Sequence, residues 1–81
     1  MSTWDKLLDR FRRLDRNIRF DEIRQVLESY GYTMCQPHGG SSHYTFRKPD
    51  RGHNTIPYKK PVKLIYVKLV RDIIEEEEDE K

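Results

Sequence analysis

The sequence predicts a small α+β domain, a three-stranded antiparallel sheet with helices packed on one face. Three observations predict it. Apolar residues recur at helical spacing over residues 3–16, 20–30 and 62–74. Three short alternating segments, bounded by turn-forming residues, lie between the second and third of these. The resulting order, helix, helix, strand, strand, strand, helix, joins neighbouring strands by short loops, so antiparallel pairing with the helices against one face is the economical packing. An 81-residue chain makes one domain, 1–81, and buries only about 60% of its unfolded surface.

The elements follow in order. Over residues 3–16, Trp4, Leu7, Leu8, Phe11 and Leu14 make one apolar stripe, with Thr3 as cap and Asp5 in the first turn; Asn17 ends it. The second helix, about 20–30, carries Ile23, Val26, Leu27 and Tyr30 on one face, acids Asp21 and Glu22 in its first turn, and Gly31 as its stop. Tyr32 to Gln36 alternates weakly. Pro37-His38-Gly39-Gly40 is a loop, and Ser42 to Lys48 is the clearest strand. Pro49-Asp50-Arg51-Gly52 has turn chemistry, and His53 to Tyr58 is the third strand. Behind Pro61, the last helix runs from about 62 to 74 with a stripe of Val62, Ile65, Tyr66, Leu69, Val70 and Ile73.

The charge is divided. Residues 1–74 carry 15 Lys and Arg against 8 Asp and Glu, whereas 75–81 reads Glu-Glu-Glu-Glu-Asp-Glu-Lys. A basic body suits an anionic partner, nucleic acid first among them. The acidic tail, 75–81, reads as a frayed, solvating end; a sharper reading has it imitate phosphate and occupy the basic face. The single cysteine, Cys35, allows no intramolecular disulfide, in keeping with a cytoplasmic protein. The longest apolar run, Leu64 to Val67, is too short to span a bilayer, so no membrane is expected.

In a strand, residues two apart share a face. His43, Thr45 and Arg47 therefore point one way, and Tyr44 and Phe46 point to the core. The imidazole and guanidinium fall side by side on the partly solvated face, a proton-transfer group next to a phosphate-binding one. An imidazole, which titrates near pH ~6.5 when unperturbed, moves protons at neutral pH, and a guanidinium holds phosphate in a fork. Ser41 and Ser42, with the backbone N–H groups of Gly39 and Gly40, offer a cradle for a further phosphate oxygen. Lys59, Lys60 and Lys63 cluster at the start of the last helix, where cations oppose the helix dipole; RNA-backbone tracking accounts for them, as does a plain solvated face. Tyr58 beside them is placed to stack a base. Cys35-x2-His38 has metal-ligand spacing, but no second tight pair accompanies it, so no metal is expected; His38 and His53 read as exposed polar residues.

Three motifs stand in order: Tyr30-Gly31-Tyr32 closes a helix, Gly40-Ser41-Ser42-His43-Tyr44-Thr45-Phe46 enters a strand, and Thr55-Ile56-Pro57 leads through basic residues into a closing helix. On these, residues 20–74 resemble the HicA (YcfA-like) family of mRNA interferases, toxins of type II toxin–antitoxin pairs. It implies a double-stranded-RNA-binding-like fold, α-β-β-β-α, to which residues 3–16 add an accessory helix. It implies a metal-independent endoribonuclease that needs no cofactor, cleaves mRNA with His43 as its catalytic residue, and is neutralised by a HicB-type antitoxin. Two positions depart from the family pattern. Ser42 stands where many members carry histidine or asparagine, and Tyr58 stands where many carry histidine. Two other readings stay open: a non-catalytic RNA-binding module on the same scaffold, and a small adaptor that binds proteins through the Trp4 helix.

Overall fold

A computed structural model describes residues 3–36 and 42–79. Its elements are α1 (Thr3–Arg12), α2 (Phe20–Ser29), β1 (Thr33–Cys35), β2 (His43–Lys48), β3 (Gly52–Pro57) and α3 (Leu64–Asp79). The strands form one antiparallel sheet in the order β1-β2-β3. The architecture is the expected α+β arrangement of three strands and three helices. No helix among the described residues is long and apolar enough to cross a membrane.

The core lies between the sheet and the helices. Phe46 and Ile56 from the sheet meet Phe11 of α1, Ile23, Val26 and Leu27 of α2, and Val67, Val70 and Ile74 of α3, all fully buried. Along β2 the alternation holds: Phe46 is buried, while His43 and Arg47 are exposed. Burying a phenyl or isoleucine side chain stabilises by roughly 1.5–3 kcal/mol, so this single strand parity decides which face turns inward.

The first helix is shorter than 3–16. It ends at Arg12, and Leu14 takes the left-handed conformation at φ 56°. The N–H groups of Leu14 and Asp15 donate to the carbonyls of Phe11 and Arg10, both at 3.0 Å. This closing pattern commonly has glycine at the left-handed position; leucine fills it here because its side chain packs against the core. The turn beyond is tied by Arg10, which donates to Asp15 Oδ2 at 3.0 Å, to Glu22 Oε2 and to the carbonyl of Asn17 at 3.1 Å. The backbone N–H of Asn17, then Arg10, hold the Asp15 carboxyl below its ordinary range. At the start of α2, Arg19 N–H donates to Glu22 Oε1 at 2.9 Å, the return half of a capping box.

The hairpin between β2 and β3 turns through Pro49 to Arg51, with Arg51 N–H donating to the Lys48 carbonyl at 3.0 Å. Gly52 then sits at φ 74°, where a Cβ would meet open space, so the backbone conformation alone calls for glycine.

The last helix corrects two expectations. Its buried stripe is Val67, Val70, Ile73 and Ile74, and Ile65 is 68% exposed. Four consecutive apolar residues, 64–67, leave the phase of the stripe undecided, and packing resolves it toward Val67. Val62 is buried but precedes the helix. The acidic run is also not frayed through residue 79. It continues α3, where Glu76 pairs with Arg51, Glu77 with Lys48 at 2.5 Å, and Glu78 accepts from the Tyr30 hydroxyl at 3.0 Å. Acids at a helix C-terminus oppose the dipole; here cations from the hairpin offset them. Burial, then the bond to Glu78, pushes the Tyr30 phenol up to about 12.

Candidate active site

The open face of the sheet is built by strand parity. Thr45 and Thr55 are cross-strand partners, with hydroxyls 3.4 Å apart, and Thr45 faces Cys35 on its other side. Arg47 lies between Thr33 and His53, and His43 is opposite Pro57. Of these, His43, Arg47, His53, Thr33 and Thr55 are exposed.

His43 opens β2, and Ser42 just before it is exposed. The Ser42 carbonyl accepts from Tyr58 N–H at 2.7 Å, which extends the β2–β3 ladder one step past the strand ends. Lys59 and Lys60 follow directly, so they stand at the His43 end of the sheet; Lys63 provides the carbonyl that starts α3. All three lysines are exposed.

Arg47 shares the face of His43 but not its neighbourhood. Four steps along the strand separate them, about 13 Å at roughly 3.3 Å per residue. Arg47 sits instead at the hairpin end, above a shallow depression that His53, Thr33 and Cys35 help to line. The expected side-by-side pairing of imidazole and guanidinium is thus replaced by two separate stations at opposite ends of β2. The acidic end of α3 does not lie on this face. Its partner Lys48 shares strand parity with Tyr44 and Phe46, so its charges meet on the helix side.

Gly40 and Ser41 lie outside the described residues, as does His38. Among the described residues no three of His, Cys, Asp and Glu come together as a metal-binding group, and Cys35 is a half-buried free thiol.

Behind the His43 end stands an aromatic cluster. Phe20 at the start of α2 lies 5.1 Å from Tyr44 and 5.0 Å from Tyr58 between ring centroids, and Tyr44 lies 6.3 Å from Tyr58. In the sequence Phe20 marks only the start of a helix. Its contact with Tyr58 depends on a chain crossing 38 residues away in sequence, for which periodicity carries no signal. The same holds for Arg10, a polar residue on a helical stripe whose three acceptors meet only in the folded chain.

Comparison with protein families, with characterised proteins and with solved structures finds no match to this chain.

Proposed function

We propose that the chain is a HicA-like toxin acting in the cytoplasm, a metal-independent endoribonuclease that cleaves mRNA and is held inactive by a HicB-type antitoxin. On this reading residues 20–74 are a double-stranded-RNA-binding-like core, and α1 is an addition to it. The observation that carries the reading is the exposed His43 at the start of β2, with Lys59 and Lys60 at the same end of the sheet.

RNA brings its own nucleophile. The 2′-oxygen bonds to phosphorus as the P–O5′ bond breaks, leaving a 2′,3′-cyclic phosphate and a 5′-hydroxyl. One proton leaves the 2′-hydroxyl and one reaches the departing O5′. His43 performs one of these transfers and solvent the other. Lys59 offsets the charge that gathers on the phosphoryl oxygens. Arg47, at the far end of the strand, holds a different phosphate of the same chain.

Ser42, standing where many members of the family carry histidine or asparagine, and Tyr58, standing where many carry histidine, favour a second reading, RNA binding without cleavage. Purified protein and His43→Ala, each scored for RNA binding and for cyclic-phosphate products, separate the two. Cleavage lost in His43→Ala with binding kept supports the enzyme. Binding without cleavage in both proteins supports the module. Cleavage unchanged by His43→Ala removes the histidine from the mechanism.

A further inference from the structure

We infer that the cleft between residues 17–21 and the 58–61 segment binds one nucleotide of a single RNA strand, its base on Tyr58 and its phosphate on Lys60 and Arg19. The inference rests on the RNA-cleaving reading of His43 and names a subsite beside it.

The cleft has a volume of about 590 Å³, and Arg19, Phe20, Asp21, Tyr58, Lys60 and Pro61 are among its lining residues. That volume lies within the roughly 300–1,000 Å³ of small-molecule sites. Tyr58 is 41% exposed, although the ring has Phe20 behind it at 5.0 Å. An aromatic ring backed by a second ring and open to solvent is a stacking platform that accepts any base. Arg19 and Lys60 are both exposed and enter no ion pair among the described residues. With Asp21 as the one acid, the lining is cationic by a single charge, which suits a phosphate diester.

The walls are fixed by backbone bonds. Val62 N–H donates to the Ile18 carbonyl at 3.3 Å, which joins the two sides of the cleft. Tyr58 N–H donates to Ser42, the residue before His43. Strand parity sends Tyr58 toward the helices and His43 toward the open face, so the cleft lies around the end of the sheet from the imidazole. An RNA strand crossing that end sets one phosphate at His43 and a flanking base in the cleft. The subsite thereby reads a nucleotide beside the scissile bond, not the bond itself.

The test is amide-resolved NMR titration of the full chain with cytidine monophosphate and, separately, ribose 5-phosphate, using Tyr58→Ala, Tyr58→Phe and Lys60→Ala. The expected result is saturable shifts centred on residues 17–21 and 58–61. Affinity should weaken about tenfold or more in Tyr58→Ala, persist in Tyr58→Phe, and fall in Lys60→Ala. Absence of shifts there at about 10 mM nucleotide overturns the inference. So does equal affinity for ribose 5-phosphate, which has no base to stack, or unchanged affinity in Tyr58→Ala when the spectrum shows it folded. Cleavage by His43→Ala is scored separately. Nucleotide bound in the cleft of a protein whose cleavage ignores His43 supports the subsite and overturns the catalytic reading. An empty cleft in a His43-dependent nuclease does the reverse.

Discussion

Lys48 Nζ and Glu77 Oε1 meet at 2.5 Å, 29 residues apart in sequence, joining the end of β2 to the last turns of α3. Both side chains are largely covered, with relative exposures of 21% and 13%. The ammonium also lies 5.6 Å from the centroid of the Tyr32 ring. A pair this sheltered is screened less than a surface pair, and removing one partner leaves the other charge poorly hydrated. Glu77→Gln is expected to destabilise the fold by about 1–2 kcal/mol, between the usual exposed and buried cases. Urea unfolding measures it, and a loss below about 0.3 kcal/mol shows that the pair contributes nothing.

His43→Ala is expected to lower RNA cleavage by about 10²–10⁴-fold, the usual contribution of one proton-transfer group, with little change in melting temperature because the side chain is exposed. Rate measurements on an RNA of known length, paired with thermal melts, check both halves. A fall in rate that merely follows a fall in stability argues against the chemical role.

Lys59 and Lys60 at the His43 end, with Lys63 just ahead of α3, predict RNA binding that weakens steeply with salt. Each alanine substitution should reduce the slope of log affinity against log salt by about 0.7 if that lysine contacts a phosphate of single-stranded RNA. Fluorescence anisotropy across a salt series gives the slopes. An unchanged slope in all three variants identifies these lysines as solvated surface alone.

Asp15 makes stability fall in acid. Its carboxyl has an ordinary value of 3.8, and the N–H of Asn17 with the Arg10 guanidinium holds the folded value lower. The folded chain therefore takes up this proton less readily than the unfolded one. The contribution of Asp15 is complete above about pH 3.8 and disappears as pH falls through the lower folded value. Melting curves across the acid range should show a shallower acid limb in Asp15→Asn. Superimposable limbs count against the account.

Tyr30 acts at the other end of the scale. With the phenol moved from 10.0 to about 12, the folded chain holds this proton more tightly than the unfolded one. Its contribution is complete below about pH 10 and lost as pH rises toward 12. Tyrosinate absorbance should show a late-titrating tyrosine that Tyr30→Phe removes. If Tyr30→Phe leaves the late step intact, another tyrosine carries it.

Most of the architecture is legible in the sequence because local chemistry and burial agree. Strand parity in Tyr44 and Phe46 against His43 and Arg47 settles which face of β2 is open. Gly31 and Gly52 mark chain reversals that require positive φ. Legibility ends where several solutions satisfy the local rules. Leu14 fits a helical stripe as well as it fits the left-handed closing turn that it adopts. Leu64 to Val67 is apolar on every side, so only packing can fix its phase. The acidic run looks unfavourable until Lys48, Arg51 and Tyr30 arrive from elsewhere. The site is half legible: strand parity and strand rise set His43, Lys59 and Lys60 at one end of the sheet and Arg47 at the other, but the aromatic cleft arises from pairing that no local pattern encodes.

Phe11 has no solvent exposure, and Leu7 and Leu8 keep 8% and 5%. The N-terminal segment is thus a structural member of the globule and cannot be trimmed as an ornament. A chain begun at residue 20 loses Phe11 from the middle of its interior and the guanidinium that braces Glu22. Such a truncation bares a greasy strip along α3 and should clump or turn molten when expressed alone.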